Sequence, residues 1–204
     1  MAMSKENRRY IILEKASELV RKQGFNNTGI QEILDAVSIP KGSFYYYFKS
    51  KEDFGIQLID YFFQCLNDIS DDVFKNKSIS PLKRLEHFFI VLIVHIENNE
   101  CKGGCAVGNL AQELADLKET YREKLDSCFN KIKVNIKDCL EEAVQNKTLS
   151  KDLDIDGLAN FILNSWQGAV LRSKVERSVN ALNLFVEWVF GLVIKNLVKK
   201  RGSE

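Results

Sequence analysis

The chain has 204 residues, 45% of them hydrophobic and 28% charged, a balance that excludes a disordered or collagen-like polymer and leaves enough apolar mass for a packed core. With 2 prolines and 11 glycines it lacks the punctuation of an all-β sandwich, so long helices are the economical reading. The net charge of +1 conceals an asymmetry: residues 1–51 carry +4 and the remainder −3, which makes the N-terminal end the candidate nucleic-acid face.

No stretch approaches a transmembrane span without a charge, and the start Met1-Ala2-Met3-Ser4-Lys5-Glu6 lacks the apolar core of a signal peptide. A cytoplasmic chain without a membrane partner is expected. Five scattered cysteines make poor disulfide arithmetic and read as thiols.

In chain order, Ile11, Ile12, Ala16, Leu19 and Val20 recur at three- and four-residue steps, predicting an amphipathic helix over about 6–23 with Gly24 at its C-terminal cap. Thr28 and Gly29 precede a short helix over about 30–37, closed by Ser38-Ile39-Pro40. A third helix runs from about Pro40 or Lys41 to Phe48, its proline placed where a missing N–H costs nothing. A long fourth helix follows, with Ser50 as N-cap, Asp53 at the third helical position, and Phe54, Leu58, Phe62, Leu66, Ile69 and Val73 on one face. Ser80-Pro81 opens a fifth helix, with Leu82, Leu85, Phe89, Leu92, Ile93 and Ile96 inward. After the glycine-rich turn before Cys105 come a helix starting near that cysteine and three more, over about 121–145, 155–175 and 179–199. The expected fold is therefore all-α, with about nine helices. An N-terminal helix-turn-helix domain spans 1–51, and a C-terminal helical domain for ligand binding and dimerisation spans 52–204.

Two short helices joined by a tight turn can set the second into a major groove while the first helix braces them. Across Thr28 to Lys51 the chain resembles the TetR family of transcriptional regulators. A threonine opens the second helix, Lys41-Gly42 opens the third, and aromatic pairs end in Phe48-Lys49-Ser50-Lys51. The match covers about a quarter of the chain directly. Phe44 and Phe48, four apart, face the core with Ile33 and Val37, so Tyr45, Tyr46 and Tyr47 cover the rest of the recognition helix. Gly42 permits close backbone approach to DNA, the short Ser43 hydroxyl can meet a phosphate or a base edge, and Lys51 adds its charge to a helix N-terminus. The resemblance implies that Thr28, Tyr45 and Lys51 hold phosphates, while Gln31, Lys41, Ser43 and Tyr47 read sequence. For Tyr46, DNA contact and a half-buried aromatic cluster both stand. The family usually has glycine where this chain has Ser38, at a position that is often left-handed and costs serine more than glycine.

Beyond Pro81 nothing resembles catalysis. His87 and His95 lack partners at ligand spacing, no phosphate loop follows a strand, and neither an enzyme nor a cofactor or metal is expected. Gly103-Gly104 places Cys105 at a helix N-terminus, where the dipole favours thiolate and hence reactivity. Cys105 with the following Asn109-Leu110-Ala111-x-Glu113 resembles a subgroup of the family, while residues 41–55 and Lys174 to Ser178 are similar to its electrophile-responsive type, the one that controls N-ethylmaleimide reductase, which departs in the helix after the cysteine. That likeness implies a sensor at Cys105 and Lys174. Cys105 also reads as a small buried helix-start residue, and Cys65, Cys128 and Cys139 read as core.

In the last helix Phe185, Trp188, Val189, Phe190, Leu192, Val193 and Ile194 spread around more than one face, more apolar surface than one protomer's core requires, so a second copy is the expected cover. The expected function is a regulator, most simply a repressor, that binds a palindromic double-stranded operator as a homodimer. A small-molecule inducer or electrophile would release it. The alternatives are non-covalent sensing of an apolar ligand, a helical small-molecule carrier, and an interaction module whose basic segment binds RNA or membrane.

Overall fold

The computed structural model describes residues 4–198, apart from the side chain of Lys41. The element order is α1 (Lys5–Gln23), α2 (Ile30–Ala36), a 3-10 turn (Lys41–Ser43) leading into α3 (Phe44–Tyr47), α4 (Lys51–Phe74), α5 (Pro81–Asn98), α6 (Ala106–Leu114), α7 (Glu119–Gln145), α8 (Ile155–Glu176) and α9 (Asn180–Val186). A π-helical segment (Glu187–Ile194) and a last turn (Lys195–Leu197) follow. Among the described residues no strand forms beyond an isolated bridge between Leu149 and Val198. The all-α reading with an N-terminal helix-turn-helix holds.

The helix ends lie where the sequence places its caps. The Ser4 hydroxyl accepts the Asn7 N–H, and Gly24 closes α1 at φ +85°. Ser50 Oγ accepts from Asp53 N–H at 3.0 Å and the Asp53 carboxylate accepts from Lys49 N–H at 2.8 Å, so the start of α4 is capped from both directions. Pro81 occupies the first turn of α5.

The last helix departs from expectation. The sequence predicts one regular helix from Val179 to about Lys199, the latter a residue outside those described. Instead its centre widens into a π segment. The wider turn lines up residues five apart, and Phe185 and Phe190 both reach Phe89 of α5, with ring centroids 4.9 and 5.9 Å from it. The run Trp188-Val189-Phe190-Gly191-Leu192-Val193-Ile194 carries no polar residue to mark where the period changes.

The chain divides into two compact units. Unit 1 comprises Met1–Leu66 with Ala106–Cys128, and unit 2 comprises Asn67–Cys105 with Phe129–Glu204. In unit 1 Ile12, Ala16, Ile33, Leu34 and Leu58 are buried around four phenylalanines. Phe44, Phe48 and Phe54 lie with centroids 5.1 to 5.8 Å apart, and Phe25 stacks on Phe54 at 6.0 Å. In unit 2 Phe89 also meets Trp166 of α8 at 5.0 Å, which in turn meets Phe185 at 5.3 Å.

Candidate DNA interface and sensor thiol

The turn between α2 and α3 is built on a backbone position that L-residues avoid. Ser38 has φ +54°, so the chain adopts the left-handed conformation with serine in glycine's usual place, and its N–H is held by Asp35 O at 3.1 Å. The 3-10 turn then closes through Ser43 N–H to Pro40 O at 2.9 Å. With Phe44 and Phe48 each 1% exposed, the next residues of α3 are forced outward. Tyr45 is 71% exposed and Tyr46 59%, whereas Tyr47 and Ser43 are half-buried. Gly42, Gln31 and Lys51 are exposed. The side chain of Lys41 lies outside the described residues.

Three of these residues already have partners. Gln31 Nε2 donates to the Asp35 carboxylate one turn along α2, a bond that must open before the amide can read a base. Lys5 Nζ sits 4.2 Å from the centroid of Tyr46, whose edge meets Tyr47, and Lys51 Nζ sits 5.3 Å from that of Phe25. Thr28 differs from the sequence expectation in orientation. It is 2% exposed, and its hydroxyl donates to Gly24 O at 2.6 Å. Its proton is thereby committed to the turn between α1 and α2 rather than offered to solvent.

The same unit fastens these helices to the α6–α7 corner. Glu52 at the start of α4 accepts from Thr120 Oγ1 at 2.6 Å and pairs with Lys118, contacts that hold its carboxyl below the ordinary value. Tyr121 comes so close to Gly55 that a Cβ there would lie 2.8 Å from its ring and hydroxyl oxygen, so this close approach requires glycine.

In unit 2, Gly103 and Gly104 take φ +82° and +60° and deliver Cys105 immediately before α6, as the sequence suggested. Cys105 is half-buried, and Gln167 Nε2 of α8 lies 3.7 Å from its sulfur. Lys174, also half-buried, follows Gln167 by two turns on the same face of α8. Cys101 and Cys128 are buried, and burial pushes the Cys139 thiol up to about 11. Cys65, expected in the core, is half-buried.

The turn after α5 and the turn after α8 come together. Glu97, Glu100, Cys101 and Lys102 before the cysteine, and Arg177, Ser178 and Val179 after Lys174, line one open cleft of about 560 Å³. Glu100, Cys101 and Arg177 all have positive φ, between 51° and 55°. Neither Gln167 nor the cleft was legible in the sequence. A glutamine mid-helix carries no signal of its own, and nothing local tells which distant turn faces the loop after α5.

Comparison with known proteins agrees with this architecture. Residues 12–56 match the family described as bacterial regulatory proteins, tetR family, and residues 81–189 match the tetracyclin repressor-like C-terminal domain. Over 179 residues the chain is 34% identical to the HTH-type transcriptional repressor DhaR of Mycobacterium sp. strain GP1, with 88% of each chain covered. It is 25% identical over 171 residues to the HTH-type transcriptional repressor NemR of Escherichia coli strain K12, covering 84% of this chain and 86% of that one. The solved structure of regulatory protein TetR from Rhodobacter sphaeroides aligns with a TM-score of 0.81 at 31% identity, over 92% of this chain and 97% of that chain. The chain belongs to the TetR family of DNA-binding transcriptional regulators.

Proposed function

We propose that the chain binds a palindromic operator in the cytoplasm as a homodimer, represses transcription from it, and is released when an electrophile or oxidant modifies Cys105. The supporting observation is the setting of Cys105. It is half-buried at the start of α6 with an amide against its sulfur, while Cys101, Cys128 and Cys139 are buried. With a maleimide, the thiolate sulfur adds across the carbon–carbon double bond and the neighbouring carbon takes up a proton. The bulk attached at Cys105 then displaces the start of α6.

On the DNA side Tyr45 and Lys51 contact phosphates, while Gln31, Lys41, Ser43 and Tyr47 reach base edges and Gly42 admits the backbone close to the groove. Tyr46 is held by Lys5 and stands beside the groove. Thr28 serves the interface by bracing the turn from which α2 starts. The dimer covers Leu184, Trp188 and Leu192, which recur every four residues along the last helix and remain exposed, as do Phe161 and Leu171 of α8. Two copies related by a two-fold axis set their recognition helices one DNA turn apart, roughly 34 Å.

The test is a mobility shift on a palindromic duplex that the wild-type protein recovers from a randomised pool. Tyr45→Ala weakens binding about tenfold. N-ethylmaleimide releases the wild type and Cys65→Ser but leaves Cys105→Ser bound. A treated wild type that keeps its affinity rejects the thiol trigger. Non-covalent sensing of an apolar ligand, with the cleft beside Cys101 as its candidate site, then takes its place.

A further inference from the structure

The geometry points to Glu113 as a positioning residue for DNA binding, one that sets the turn between α1 and α2 from α6. Its carboxylate Oε2 accepts the backbone N–H of Asn26 at 3.0 Å, and its own carbonyl accepts from Asn26 Nδ2 at 3.4 Å, across 87 residues of sequence. Gly24 is shaped to admit it: a Cβ there would lie 2.9 Å from Oε1 and 3.0 Å from Oε2. Three other donors of the turn are satisfied internally. Gly24 N–H donates to Val20 O, Thr28 N–H to Phe25 O, and Asn27 Nδ2 to Gln23 O. The Asn26 N–H is satisfied by a different helix, so the position of that helix enters the position of the turn.

The sign of the charge argues against a contact selected for stability alone. The carboxylate stands against the C-terminal end of α1, the negative end of its dipole, where a cation is favoured and where α1 itself carries Arg21 and Lys22. Four residues beyond Asn26 the turn becomes α2, whose Gln31 and following turn present α3 to DNA. Glu113 lies in the last turn of the nine-residue helix that Cys105 precedes, so a rigid shift at the start of α6 is carried to the carboxylate. This last step rests on the proposed release mechanism, whereas the effect of Glu113 on affinity does not.

The experiment measures affinity of the full-length, untreated protein for the recovered duplex as a function of salt, in wild type, Glu113→Gln, Glu113→Asp and Glu113→Ala. Glutamine keeps an acceptor oxygen at the same reach, while aspartate falls one methylene short. The expected result is a loss of about tenfold for Asp and Ala, with Gln within about twofold of wild type. All should keep the wild-type slope of log affinity against log salt, because no phosphate contact is removed. If Ala fails to fold, the Asp and Gln pair carries the test alone. Equal binding by Asp and Gln, or a slope reduced by about one charge, overturns the inference. Since no electrophile is used, failure of the Cys105 trigger is read separately. A wild type that recovers no duplex overturns both.

Discussion

At the scale of single residues, the DNA-reading end is built on one strained position. Ser38 holds φ +54° in a turn where glycine costs less. Left-handed backbone costs a non-glycine residue about 1–2 kcal/mol, part of which glycine returns through its looser unfolded chain. Ser38→Gly is therefore expected to stabilise the protein by roughly 0.5–1 kcal/mol, read as a higher urea midpoint with an unchanged slope. A lower midpoint would mean that the serine contributes something the backbone does not reveal. Thr28 teaches a related lesson. Its place in the motif was legible from sequence, but the direction of its hydroxyl depends on Gly24 O, an acceptor whose placement follows from the way α1 ends.

At the scale of elements, the C-terminal end of α4 is held by a buried arginine. Arg84 of α5 is fully buried. It donates from Nη1 to Phe74 O, the last residue of α4, at 2.8 Å, and Nη2 lies 2.6 Å from Glu142 of α7. Lys77 reaches the same carboxylate at 2.7 Å. A cation at a helix C-terminus is favourable, but an arginine taken from water needs its counter-charge. The contacts with Arg84 first and Lys77 second hold the Glu142 carboxyl below its ordinary value of 4.5. A depressed folded-state value means stability that is fully present above pH 4.5 and is lost as pH falls through the folded value. Glu142→Gln should destabilise by roughly 2 kcal/mol at neutral pH, less than for a wholly buried pair because Glu142 is 37% exposed. It should also flatten the loss of stability below pH 4.5. Urea midpoints taken between pH 3 and 7 measure both, and parallel wild-type and mutant curves would refute the assignment.

At the scale of the whole molecule, the exposed apolar row on the last helix carries the expectation of a dimer. Trp188 is 56% exposed, so Trp188→Glu costs the protomer's own core little while placing a charge in the proposed two-fold contact. Sedimentation should show a monomer. Because two linked reading heads gain avidity that one lacks, affinity for the palindrome should fall by at least about a hundredfold. A Trp188→Glu protein that stays dimeric would move the interface elsewhere.

What the sequence alone determined lies close together along the chain. Helix periods repeat every few residues, caps such as Ser50 with Asp53 act over one turn, and the motif from Thr28 to Lys51 is continuous, so the fold class and the placing of the recognition helix were legible. So was the position of Cys105 before α6, since Gly103-Gly104 marks it locally. Only the tertiary structure decided that Gln167 meets Cys105, that Arg177 and Cys101 share a cleft, that Arg84 is neutralised by Glu142, and that Glu113 holds Asn26. Each of these joins residues tens of positions apart, where any of several surface carboxylates or amides would satisfy the same chemistry. The choice among them is made by how the helices pack, a property of the assembled core that no local pattern encodes.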